Sequence, residues 1–339
     1  MSKKNSNVIL KSGFKNQKEI SEIYINFKKK FLNINRQPIV VAISGGPDSL
    51  ALAALTKAFS YEKKLKFYYV LIDHQIRKKS TEEANQVKIL LKKHNISLVI
   101  ITNPSIIKKN IQSEARKIRY QLLLSFCNKK NAKTILTAHN LEDQVETFFI
   151  RLARGSGLTG LSSMKTLSKL DKNIRLLRPL LDTKKNNLIK ISKKVFGKYF
   201  KDPSNNNTKY LRTKIRNLKK PLSQSGINYD QIIKSINNLA SSRATLEEYY
   251  KKTFEEIVKK SKSKIELNFP KFMNLNNDIK LRLINDSVKI LKNNYYTLRS
   301  KKVNNLIKSM KAKKFKKHTL GGCIFYIKKD KLCLIVEKR

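Results

Sequence analysis

Two periods alternate along the first half of the chain. Ile39-Val40-Val41-Ala42-Ile43-Ser44 is a short β-branched run bounded by Pro38 and Gly45, and predicts a strand. Lys66 to Asp73, Ser97 to Thr102 and Lys133 to Ala138 predict three more. Between them, helical spacing predicts helices over Ser49 to Phe59, about Ser80 to Asn95, Ile106 to Asn128 and Leu141 to Ala153. Ser80 and Glu83 are spaced as a capping box for the second of these. A basic amphipathic segment, Lys15 to Phe31, precedes the series. Strand–helix alternation at these lengths predicts a parallel sheet covered on both faces. Ligands of such sheets sit beyond the carboxyl ends of the strands, near a switch in strand order. The residues that directly follow strands are therefore the ones to read for chemistry.

From about Leu222 the alternation stops. Lys- and Asn-rich helical segments run to roughly Lys311, and two apolar runs, Cys323 to Ile327 and Leu332 to Val336, flank a Lys-Lys-Asp-Lys turn as in a hairpin. The expected organisation is an α/β domain over residues 1–221, a boundary near Pro221, and a mostly helical basic domain over 222–339 that ends in a β-hairpin.

Composition narrows the partners. The 339 residues hold 74 Lys and Arg against 24 Asp and Glu, a formal charge of +50. A surface this basic neutralises phosphates and releases counterions, which points to nucleic acid. Lys, Asn and Ile are abundant together, as AT-rich coding produces, so charge alone does not say how much of the excess touches a partner. No apolar run approaches a membrane span, and the N-terminus has no signal-peptide pattern, so a cytoplasmic protein without a membrane partner is expected. Cys127, Cys323 and Cys333 are scattered and form no C-x-x-C, and read as three reduced packing thiols.

The sharpest chemical signal is Ser44-Gly45-Gly46-Pro47-Asp48-Ser49, between the first strand and the first helix of the sheet. Two glycines allow a tight turn and close backbone approach. The helix that follows offers free N–H groups and a positive dipole end to an anion. Ser44 and Ser49 can add hydroxyl donors, and Asp48 can hold a metal ion on bound phosphates. In the helix after the fourth strand, Leu141, Val145, Phe148 and Leu152 form an apolar stripe expected to pack on the sheet. His139, Asp143 and Glu146 lie roughly opposite, where two carboxylates about one turn apart suit an ammonium group or a metal-bound phosphate. Arg116, Arg119, Arg151 and Arg154 each read singly as solvated charges, and as a set beside a nucleotide cleft suggest phosphate contacts. Arg212 and Arg216, at i and i+4, can present one face to an anion. Tyr120 and Phe325 read as core residues rather than stacking platforms.

The Ser44-to-Ser49 string resembles the PP-loop of ATP pyrophosphatases, enzymes with an adenine nucleotide α-hydrolase-like fold that cleave ATP between its α- and β-phosphates. Later segments are similar to tRNA(Ile)-lysidine synthetases over most of the chain: Asp73-His74-Gln75-Ile76-Arg77 with Ser80 and Glu83-Ala84, Ser113-Glu114-Ala115-Arg116 with Arg119-Tyr120, and His139-Asn140-Leu141-Glu142-Asp143-Gln144-Val145-Glu146-Thr147. The likeness continues through Arg151 to Leu158, Arg178-Pro179-Leu180-Leu181, Asp202-Pro203-Ser204-Asn205, Arg212 to Arg216 and Thr319 to Cys323. Glu142, Asn207 and Thr213 depart from the usual pattern. The resemblance implies that ATP and Mg²⁺ are used to join L-lysine to the wobble cytidine of a tRNA(Ile) with a CAU anticodon, through an adenylated tRNA. It further implies that Asp48, His139 and Asp143 are catalytic, that Asp143, Glu146 and Arg212 bind lysine, and that Arg116, Arg119, Arg151, Arg154 and Arg216 contact tRNA or phosphate. The second domain would bind tRNA. A tRNA thiolase, a small-molecule amide synthetase and a non-enzymatic RNA-binding protein are the rival readings, and oligomeric state, including a homodimer, stays open.

Overall fold

The computed structural model describes residues 18–337 apart from 33, 35–36, 108–109, 172, 201–210, 262, 293–297 and 312–314. The segment from Asp202 to Asn207 therefore lies outside the described residues. In the first strand, β1 (Ile39–Ile43), Ile39, Val41 and Ile43 enter one apolar core while Val40 enters another. This is the two-residue period of a strand buried on both faces. Its sheet adds β2 (Phe67–Asp73), β3 (Leu98–Thr102), β4 (Thr134–Leu136), β5 (Leu167–Lys169) and β6 (Arg175–Leu177), in the order β3-β2-β1-β4-β6-β5. All neighbours are parallel except the edge strand β5, which runs antiparallel to β6.

The helices of this unit are α1 (Lys18–Lys29), α2 (Pro47–Lys63), α3 (Ser80–Lys93), α4 (Ile111–Lys129), α5 (Leu141–Leu152), α6 (Leu158–Leu161), α7 (Lys185–Phe196), α8 (Leu211–Asn217), α9 (Lys219–Gln224) and the first turns of α10 (Tyr229–Ile257). One core gathers Ile20 and Phe27 of α1, Leu50 to Phe59 of α2, Leu91 of α3 and Ile191 of α7 on the Ile39 face. The opposite core holds Leu123 and Cys127 of α4 against Val40, Val70, Ile135 and Leu176. Burial of the Cys127 thiol pushes its pKa up to about 12, in keeping with an inert packing residue.

Two local expectations are corrected. The residue ahead of α3 is Lys79, and no side chain caps it. Ser80 and Thr81 instead donate to the Asp73 carboxylate at 2.8 and 2.6 Å, and Glu83 forms a two-pronged pair with Arg77. The capping box is on α5: Asn140 accepts from the Asp143 N–H, and Asp143 accepts from the Asn140 N–H, both at 3.0 Å. The apolar stripe of α5 does not pack on the sheet, whose faces the other helices already fill. Leu141 and Val145 meet Ile232 and Ile236 of α10, and Leu152 is exposed.

Two compact units make up the chain, one reaching to Ala240 and the other starting at Ser241, within α10. The second unit holds β7 (Val258–Lys260), β8 (Lys264–Asn268), α11 (Phe269–Met273), α12 (Asn277–Lys292), α13 (Ser300–Met310), β9 (Lys317–Leu320), β10 (Cys323–Lys328) and β11 (Lys331–Val336). The expected hairpin is β10–β11, but it sits inside a five-stranded antiparallel sheet of order β7-β8-β11-β10-β9. Strands β7 and β8 fall in the stretch read as helical. Only Ile265 and Leu267 mark β8 as apolar on one face, too short a signal among lysines to reveal the strand. Phe325 is fully buried in this core, as expected, and Cys323 and Cys333 are buried free thiols. No helix among the described residues is long and apolar enough to cross a membrane.

Candidate active site

Strand order reverses at β1: β2 and β3 extend to one side, β4 and β6 to the other. The carboxyl ends of β1 and β4 are adjacent, with Val41 paired to Leu136. The segments that leave them, Ser44 to Ser49 and His139 to Asp143, therefore emerge together at the switch point, where the fold places ligands.

The β1 loop is fixed by one glycine. Gly45 has φ +80°, and its carbonyl accepts from the Phe200 N–H at 3.0 Å. A Cβ here would also stand 2.6 Å from Val87 Cγ2. Gly46 has φ −70°, so the turn itself does not require glycine there, and only close ligand approach argues for it. Gly45→Ala is expected to lower stability by about 1–3 kcal/mol, read as a lower denaturant midpoint at unchanged slope. An unaltered midpoint would show that the turn relaxes freely.

Ser49, buried at the start of α2, braces the loop. Its hydroxyl accepts from the Ser44 N–H at 3.1 Å and donates to the Gly46 carbonyl at 3.0 Å, while Ser44 Oγ lies 3.2 Å away. The Ser49 proton is thus committed internally, and Ser44 is the freer hydroxyl. Gly46 precedes the helix without a side-chain cap, and Pro47 follows. The first N–H groups of α2 are left to an incoming anion.

Asp48 stands in the first turn of α2. Its Oδ1 is buried without a hydrogen-bond partner, and Oδ2 is 4.0 Å from Lys185 Nζ. Burial raises its pKa to about 6; Asp143 and Glu142 add to the rise, while Lys185 and the nearby Asn140 side chain oppose it. His139 is shifted the other way. Burial, followed by the charges of Arg178, Arg116, Arg212 and Arg119, lowers its pKa to about 3, so the imidazole is neutral. Its Nδ1 is 2.8 Å from the Thr137 hydroxyl.

Beyond His139 the side chains of α5 and α8 form a tight ionic cluster. Arg212 Nε donates to Glu146 Oε2 at 2.6 Å, Arg216 Nε to Oε1 at 2.7 Å, and Arg212 Nη2 to Asp143 Oδ1 at 3.2 Å. The Glu146 side chain is only 3% exposed, the two arginines 37% and 34%. The i, i+4 spacing does put both guanidinium groups on one face, and that face meets Glu146. Glu142 completes the frame by accepting from the Lys185 N–H at 2.9 Å.

The other arginines divide. Arg151 donates to the Gly160 and Ser163 carbonyls at 2.7 and 3.0 Å and so holds the α6 turn. Arg116 lies over the Tyr120 ring, which packs at the edge of the core as expected. Arg154 is exposed. Arg119 faces both His74 and His139 electrostatically. Sequence reasoning does not single out Lys185, Thr137 or the cap role of Asn140. The Asn140-to-Asp143 spacing carries the last of these, but nothing distinguishes Lys185 among 74 cationic side chains.

Residues 17–222 match the PP-loop domain family. The chain is 42% identical over 187 residues to a tRNA(Ile)-lysidine synthase of Orientia tsutsugamushi (strain Boryong), a stretch that takes in 54% of this chain and 42% of that protein. It is 32% identical over 310 residues to a tRNA(Ile)-lysidine synthase of Wolbachia sp. subsp. Brugia malayi (strain TRS), with 90% of this chain and 72% of that protein covered. The match thus spans less than two thirds of the Orientia relative. Among solved structures, a U34-tRNA thiolase from Methanococcus maripaludis superposes with a TM-score of 0.56 at 17% identity, over 66% of this chain and 78% of that one, a likeness of fold.

Proposed function

We propose that this chain, which belongs to the tRNA(Ile)-lysidine synthase family of PP-loop proteins, uses ATP in the cytoplasm to join lysine to the wobble cytidine of a tRNA(Ile) with a CAU anticodon. The observation that carries the reading is the adjacency, at one switch point, of an anion-binding helix start and a buried carboxylate–guanidinium cluster. The first suits a triphosphate and the second an amino acid.

In the first half-reaction the cytosine carbonyl oxygen attacks the α-phosphate, and pyrophosphate leaves. The open N–H groups of α2 and the Ser44 hydroxyl cradle the phosphates where negative charge accumulates. Asp48, with an unpartnered buried Oδ1, fits a magnesium ion whose remaining ligands would be phosphate oxygens and water. Bound there, the ion neutralises charge on the departing pyrophosphate. Arg116, Arg119 and Arg178 supply the positive field in which the adenylated base is held.

In the second half-reaction the lysine amine attacks the activated carbon and AMP leaves. Asp143 and Glu146 bind lysine's ammonium character, and Arg212 and Arg216 turn to its carboxylate or to the adenylate. A lysine amine attacks only after losing its proton. His139 is a weak base in the ligand-free cleft, because burial and four arginines disfavour a proton on it. Bound polyphosphate cancels the arginine repulsion, so His139 gains basicity only when ATP is present. The thiolase reading lacks support from the thiols: Cys127 lies in the first unit's core and Cys323 and Cys333 are buried in the second unit.

Purified protein is incubated with ATP, Mg²⁺, radiolabelled lysine and a CAU-anticodon tRNA. Label entering tRNA only when ATP is present is the expected result. No incorporation, with wild-type fold shown by melting, overturns the reading.

A further inference from the structure

Within the second unit, α12 and α13 enclose an open groove of about 730 Å³. Its walls carry Lys280, Lys301, Lys308 and Lys311 together with the amides of Asn277 and Asn304. No ion pair neutralises any of these four ammonium groups among the described residues. Helix α13, Ser-Lys-Lys-Val-Asn-Asn-Leu-Ile-Lys-Ser-Met, contains no acidic residue, and no carboxylate lines the groove. Asn277 donates to Asn304 at 3.1 Å, which ties the two helices together across the cleft. The apolar side is committed elsewhere: Val303, Leu306, Ile307 and Met310 face the core. The cationic face is held in place by packing.

We propose that this groove binds the phosphodiester backbone of double-helical RNA. The inference rests on the tRNA reading above and deepens it by assigning a contact surface in the second unit. Ammonium groups and amide N–H donors suit phosphate oxygens. The groove offers no aromatic platform for stacking an unpaired base and no arginine fork for reading a base edge. Backbone contact follows, and base readout does not. Lys280 supports this independently. Burial, then the charge of Lys311, lowers its pKa, and a phosphate between the two ammonium groups removes that repulsion.

The test uses the full chain with Lys280→Gln and Lys308→Gln combined, neither residue being part of the cleft in the first unit. Binding of a CAU-anticodon tRNA is followed by fluorescence anisotropy from 50 to 300 mM salt. Loss of two phosphate contacts is expected to lower the slope of log K against log salt by roughly 2, and affinity by about 30-fold at 0.15 M salt. A duplex with a scrambled sequence should lose the same factor. A thermal melt matching wild type shows that the fold persists, and a milder Lys301→Gln variant should lose about half the effect on the slope. Wild-type tRNA binding with an unchanged slope in the double variant overturns the groove alone. Failure of the wild-type protein to bind tRNA at all overturns the reading beneath it. Preferential loss of poly-glutamate binding, with RNA binding intact, assigns the groove to an acidic protein and also overturns the proposal.

Discussion

Asp48→Asn is expected to cut ATP-dependent AMP formation by about 10³-fold while tRNA binding stays within twofold of wild type. The substitution keeps the size of the side chain and removes its charge. In the structure Oδ1 has no partner, and Oδ2 has Lys185 at 4.0 Å with the Asn140 side chain nearby, so the carboxylate is only loosely tied. A structural role would require close bonds to both oxygens; a role in holding a cation on phosphates requires an oxygen left open. Stability should move in the opposite direction from activity. A folded-state pKa raised to about 6 means that ionised Asp48 is disfavoured in the fold. Its contribution is fully present below the unfolded value and is lost as pH rises through 6. At pH 8 the amide avoids that loss, and the variant should be more stable than wild type by roughly 1–3 kcal/mol. Calorimetry at pH 5 and pH 8, alongside AMP release, measures both. Unchanged turnover would falsify the cation role, and a variant less stable at pH 8 would refute the account of the burial.

The second large effect concerns Glu146. Glu146→Gln is expected to reduce kcat/KM for lysine by about 100-fold and to destabilise the fold by about 2 kcal/mol. Removing the charge of a buried carboxylate strands its partners. Here those partners, Arg212 and Arg216, are about a third exposed and recover some hydration, which holds the stability loss below that of a fully buried pair. The lysine ammonium would meet an amide in place of a carboxylate at a position almost wholly removed from water. KM for ATP should be unaffected, because the phosphate cradle belongs to α2. Steady-state kinetics with each substrate varied separately distinguishes the two. A loss shared equally between ATP and lysine would assign the residue to general scaffolding.

The parallel sheet is legible because its strands are apolar on both faces, so Ile39 to Ile43 reads as a strand from composition alone. The glycine loop is legible because the turn requires Gly45 at positive φ. The second sheet is obscured by its own edges: β7, β8 and β9 each expose polar faces and show at most two core positions. At the active site the acidic residues stand out through their spacing on α5, but their partners do not. In the sequence Arg212 and Arg216 await a ligand, whereas α8 brings them directly onto Glu146. Long-range pairing, across 66 and 70 residues, leaves no periodic trace. The false capping box at Ser80 shows the converse. Asp73, seven residues earlier, competes for the same hydroxyl and wins it.

Histidine is ordinarily the side chain that gains and loses charge near neutrality. In this cleft the imidazole of His139 has been moved down to about 3, and the carboxyl of Asp48 up to about 6. The two have exchanged places on the acid scale. An enzyme so arranged meets mild acidification through an oxygen that should be gripping a cation, and proton and metal become competitors for the same lone pair.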